Sequence, residues 1–99
     1  MLGVRSLMPS TARRLTITLS DEEFTLLREL NFPCTEHLFK GVRRTKHGRS
    51  VSGTRRDFED LVGWVAGEAN HSRAGSDRFF MLNEIADQIE DLLAFNRSS

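Results

Sequence analysis

From Leu15 to Leu19 apolar residues alternate with threonines, the period-two pattern of a strand with one buried face, so Leu15, Ile17 and Leu19 are expected to face a core. Ser20 and Glu23 follow at the spacing of a capping box, which predicts a helix from Asp21 to about Leu30. Phe24, Leu27 and Leu30 are its inward stripe, and Pro33 is expected to end it. Leu38, Phe39 and Val42 recur at helical spacing after Thr35, predicting a second, short helix that Gly41 weakens by about 1 kcal/mol relative to alanine. Lys46-His47-Gly48 reads as a turn, and a short polar strand centred on Val51 runs from Arg49 to Gly53.

A third helix is predicted from about Arg55 to Asn70, with Phe58, Leu61, Val62, Val65, Ala66 and Ala69 on one stripe. After a break at 71–75, Ser76 caps a fourth helix from Asp77 to about Phe95, whose stripe is Phe79, Leu82, Ile85, Ala86, Ile89, Leu92 and Leu93. The two stripes are expected to pack as a helical hairpin. An echo supports this layout: the segment from Thr16 to Phe24 and the segment from Ser50 to Phe58 share a plan of alternating strand, hydroxyl cap, acid three positions later, then Phe.

These elements predict an α+β fold: a small two-stranded β-ribbon packed with three to four helices, in the order β-α-α-β-α-α, ending in the helical hairpin. Residues 14–95 are expected to form a single domain. Residues 1–13 are expected to be a flexible tail and 96–99 a flexible C-terminus; the tail's basic, acid-free composition overlaps with transit peptides, and Met8 is an alternative start.

Charge sharpens the picture. Fourteen basic and fourteen acidic side chains cancel overall, yet residues 1–56 carry a net +6 and residues 57–99 a net −6. Between Lys40 and Arg56 stand seven basic residues (Lys40, Arg43, Arg44, Lys46, Arg49, Arg55, Arg56) and no carboxylate. Either the acidic helices fold against this segment and neutralise it, or it is an anion-binding face. Arg55 and Arg56 occupy a helix first turn, where cations oppose the dipole, and such local violations are enriched at functional sites.

Other chemistry is sparse. Gly48 to Thr54 has the glycine spacing of a phosphate-binding loop but lacks the Lys-Ser/Thr pair that follows the second glycine, so it is read only as a glycine-containing loop entering a helix N-terminus. Glu68 and His71 at i, i+3 match one half of a di-iron element that needs two. The Asp and Glu residues of the last helix (Glu84, Asp87, Glu90, Asp91) read more simply as an exposed acidic face, so no metal or cofactor is expected. Cys34 and His37 have the spacing of a thiol and its base, but a lone cysteine beside Phe32 and Pro33 is read as a small buried hydrophobe. Sequons at Asn70 and Asn96 carry no weight without a secretory context. A single cysteine cannot form an internal disulfide, which points to a reducing compartment and an expected cytoplasmic location.

The functional expectation is a small, non-catalytic interaction or regulatory protein that pairs with a protein partner or with itself, as a homodimer through the helical hairpin. Its charged recognition face is the 40–56 segment, and the off-stripe residues Trp64, Phe80, Met81 and Phe95 are the candidate partner surface. The alternative is a nucleic-acid-binding accessory protein using Arg43, Arg44, Lys46, Arg49, Arg55 and Arg56 on phosphates. The basic segment contains no aromatic residue on which bases would stack, so any such binding is expected to be backbone-directed and salt-sensitive. Neither a membrane nor a small-molecule substrate is expected.

Overall fold

Leu15, Ile17 and Leu19 are buried and Thr16 and Thr18 exposed along strand β1 (Leu15–Leu19), as the alternation requires. The structure, a computed structural model, describes residues 14–95; the expected flexible segments at 1–13 and 96–99 lie outside the described residues. Helix α1 (Asp21–Leu30) starts at a complete capping box, in which the Glu23 amide donates to Ser20 Oγ (3.1 Å) and the Ser20 amide donates to Glu23 Oε1 (2.9 Å). It ends at Asn31, whose left-handed backbone (φ 52°) closes the last turn. Pro33 therefore does not end α1. It occupies the first turn of α2 (Pro33–Leu38), where its missing N–H has no helical partner to lose. The helix expected to reach Val42 stops at Leu38 and tightens into a 3-10 turn (Phe39–Gly41), after which Val42 is already extended.

Two strands follow where one was predicted. Strand β2 (Arg43–Thr45) and strand β3 (Gly48–Gly53) form a hairpin across Lys46 and His47, and β3 pairs antiparallel with both β2 and β1. The sheet is three-stranded, in the order β1-β3-β2, rather than a two-stranded ribbon. Strand β2 escapes the hydrophobic pattern because all three of its residues are exposed and none is apolar. The glycine-containing stretch from Gly48 to Thr54 holds the whole of β3, one residue longer than the predicted strand, and Thr54 caps the helix that follows. The strand's two glycines answer to contacts: a side chain at Gly48, whose φ is 139°, would run into the carbonyl of Leu19, and one at Gly53 would strike Leu38 and Asp57.

The echo between the two strand-to-helix units is structural. Thr54 and Asp57 form a second capping box at the start of α3 (Arg55–His71), and Ser76 Oγ accepts from the Phe79 amide at the start of α4 (Asp77–Phe95). Helices α3 and α4 pack as the expected hairpin, burying Phe58, Leu61, Val65 and Ala69 against Leu82, Ile85, Ala86 and Ile89. Val62 and Ala66 lie only half-buried at the stripe's edge. The core continues through Ile17 and Val51, paired across the sheet, to Phe24, Leu26 and Leu27 of α1; Leu26 was not on the predicted stripe, and Leu30 packs only partly. All helices lie on one face of the sheet, and the other face, bearing Thr16, Thr18, Arg43 and Thr45, is open.

Two substitutions test this packing. Gly48→Ala combines a disfavoured backbone with a clash and should destabilise the fold by about 2 kcal/mol or more. Gly63→Ala fills open space on a helix face and should stabilise it by about 0.5–1 kcal/mol. Thermal denaturation followed by circular dichroism reads both, at about 4–8 °C per kcal/mol for a domain of this size.

Candidate anion-binding face

The sheet order sets where the charges go. Helix α4, which carries the exposed Glu84, Asp87, Glu90 and Asp91, packs on α3 and the β1 side of the sheet. Strand β2 of the basic hairpin lies beyond β3, two strand spacings or about 10 Å from β1. Among the described residues no carboxylate lies within ion-pairing distance of Arg43, Arg44, Lys46 or Arg56, all of them exposed. Lys40 is likewise exposed, on the 3-10 turn.

Two members of the predicted cluster serve the fold instead. Arg49, on the helix-facing side of β3, is half-buried; its Nε donates to Asp21 Oδ1 at 3.2 Å and its guanidinium lies 5.0 Å from the Phe24 ring centroid. Arg55 donates from Nη2 to the Leu93 carbonyl (2.8 Å) and lies 3.9 Å from Glu59. Its cation opposes the dipole of its own helix but sits at the negative end of α4, whose last turn has no basic residue. The apparent violation at Arg55 is thus a tertiary cap. Neither does the N-terminus of α3 stand open to an anion, because the Asp57 carboxylate already accepts the Thr54 amide there (2.9 Å).

The open sheet face supplies residues that the sequence reading left out. Register places Thr18, Ser50 and Arg43 in one cross-strand row and Thr16 beside Ser52, with the two hydroxyls 2.9 Å apart. Arg14 reaches over this face to donate to the Ser52 carbonyl at 3.0 Å. Thr45 completes the face, its hydroxyl donating to the Gly48 carbonyl and accepting from the His47 amide at the hairpin tip. Hydroxyls and guanidinium groups therefore share a sheet face whose strands carry no carboxylate and no aromatic ring. The signal was the polar half of the same alternation that located the strands.

The remaining candidates are dispersed. Trp64 is half-exposed and stacks on Phe32 at 5.7 Å, while Phe80 and Met81 border a groove beside Ser20 and Glu23. Phe95 stands apart, 88% exposed, at the end of α4 next to β1. His37 faces Asp57 Oδ2 (3.6 Å) rather than a thiol, and burial, with smaller contributions from Asp60 and Asp57, pushes the Cys34 thiol up from its ordinary value. Glu68 lies 3.7 Å from Arg78, and His71 is exposed at the end of α3. Among the described residues no group of three or more His, Cys, Asp or Glu is placed to hold a metal ion, and no helix is long and apolar enough to cross a membrane. Comparison with known proteins found no matching family model, curated protein or solved structure.

Separating the structural arginines from the free ones gives two measurable outcomes. Arg55→Ala should lower stability by about 1 kcal/mol through the lost carbonyl cap, whereas Arg56→Ala should stay within about 0.5 kcal/mol of the parent in the same thermal melt. Cys34, with its thiolate disfavoured by burial, should react with iodoacetamide more slowly than a free cysteine near pH 8, its rate rising only at higher pH.

Proposed function

We propose that this chain is a non-catalytic binding protein that lays its β2–β3 hairpin and open sheet face on a polyanion, the phosphate backbone of a nucleic acid. The observation that carries this reading is that, among the described residues, Arg43, Arg44 and Lys46 of the hairpin have no carboxylate within ion-pairing distance, in a chain whose net charge is zero. Phosphate contacts draw on Arg and Lys together with Ser and Thr hydroxyls, the residue types this face combines. An acidic protein surface would satisfy the cations, but the hydroxyl rows between them offer it no apolar anchor, and interface energy concentrates in such anchors.

The chemistry of the face also sets the character of the binding. Base reading needs either an element shaped for a groove or aromatic platforms, and the three strands of this face carry no aromatic residue, Phe95 of α4 standing at its β1 edge. Recognition is therefore electrostatic, weakly dependent on sequence and governed by counterion release. Arg49 and Arg55 belong to the scaffold of the site rather than to its surface, since each is held by a partner within the chain.

Fluorescence anisotropy of labelled single- and double-stranded DNA and RNA, titrated at several salt concentrations, tests the reading. Duplex binding should weaken linearly on a log–log plot with a slope of about −0.9 for each phosphate contacted. The variant Arg43→Glu/Arg44→Glu/Lys46→Glu should keep the parent's melting behaviour, because all three side chains are exposed, and should bind at least about tenfold more weakly with a shallower slope. Flat titrations of the parent protein at low salt would overturn the proposal.

A further inference from the structure

The three-stranded sheet has two outer edges, and they are protected very differently. Strand β2 is three residues long and bears Arg43 and Arg44, with Lys46 at its turn, the short charged edge by which proteins discourage unwanted strand pairing. Strand β1 is five residues long, contains no charge and no proline, and among the described residues pairs with β3 on one side and with no strand on the other. Its free side opens into a groove of about 760 Å³, walled opposite by Leu92 and Phe95 of α4. Phe95 is 88% exposed there.

We propose that β1 is a self-pairing edge, at which two copies of this chain join antiparallel about a twofold axis through Ile17 to make one six-stranded sheet. An isologous interface requires a surface complementary to itself, and Leu-Thr-Ile-Thr-Leu reads the same in both directions. Centred on Ile17, the pairing sets Leu15 against Leu19 of the second copy, Thr16 against its Thr18, and Ile17 against its own equivalent. Every apolar residue stays on the helix-covered face and every threonine on the open one, so no side chain changes face.

Charge selects this pairing over the alternatives. Joining β2 to β2 would bring Arg43 and Arg44 against their own copies, and joining β1 to β2 would match five residues with three and leave an open edge at each end. A twofold axis normal to the sheet keeps both helix layers on one side, with the two α4 helices flanking the new strand pair and covering Phe95. Asp91 also borders the groove, and where it approaches its copy the like charges oppose the pairing, so dimerisation strengthens as salt rises. The inference does not rest on the polyanion reading, since the pairing uses the backbone edge of β1, which lies at the opposite edge of the sheet from β2, and leaves the threonine face open.

Sedimentation equilibrium of the full chain tests it, at about 100 μM, where a micromolar Kd leaves most chains paired. The parent protein should weigh twice the chain mass. Thr16→Lys/Thr18→Lys places like charges opposite one another across the axis and should return a monomer with an unchanged circular dichroism spectrum, both threonines being exposed. Thr16→Glu/Thr18→Glu should also be monomeric alone, and mixing the two variants should restore a dimer. A monomeric parent protein, or a lysine variant that still dimerises, would overturn the proposal; in the second case the contact lies elsewhere, and Phe80→Ser would locate it on the helical hairpin. A mixture that stays monomeric would equally count against it.

Discussion

The pairing of Ile17 with Val51 across β1 and β3 is the contact on which the rest of the molecule depends. Each residue sits at the centre of a strand that runs directly into a capped helix, so aligning the two strands also aligns α1 and α3 on the same side of the sheet. Closing the chain between positions 17 and 51 carries a loop entropy that grows only slowly with length, and the buried apolar surface around Phe24, Leu27 and Phe58 outweighs it. Helix α4 then completes the layer by covering α3 and the β1 side. Loss of the Ile17–Val51 contact would leave two amphipathic helix units with no common face to bury.

The same dependence explains what the amino-acid sequence disclosed and what it concealed. Elements that bury a periodic stripe or begin with a hydroxyl three residues before an acid were legible: β1, α1, α3 and α4 have bounds within a residue of the pattern. Strand β2 was not, because an exposed edge strand carries no hydrophobic signal and exists only through the hydrogen-bonding groups that β3 offers it. A proline in the chain suggests a helix stop, because the residue before it resists the helical conformation, but Asn31 already ends α1 and leaves Pro33 free to begin α2. In both places a tertiary or capping interaction decided what local pattern left open.

The candidate site was legible in composition and hidden in detail. The run of basic residues from Lys40 to Arg56 is plain in the chain, yet its members divide by partners that lie 28 and 38 residues away, Asp21 for Arg49 and the Leu93 carbonyl for Arg55. No spacing rule predicts either contact. Arg55 is instructive because its position in a helix first turn is unfavourable locally and favourable globally: one guanidinium opposes the dipole of α3 and complements that of α4, tying the end of the chain's last helix to the start of the one before it.

A net charge of zero can describe a molecule whose charges are mixed or one whose charges are sorted, and the sheet order decides between them. With β3 central, β1 and β2 cannot be neighbours, so the acidic α4, packed beside β1, stands at one side and Arg43, Arg44 and Lys46 at the other. The outer parts of the basic segment are thereby kept from the carboxylates that balance them in the total. Sorting of this kind costs the attraction that pairing would have supplied, about 0–1 kcal/mol for each exposed ion pair forgone. In return it holds a field of one sign over the hairpin, the condition for drawing in an anionic partner from beyond contact distance.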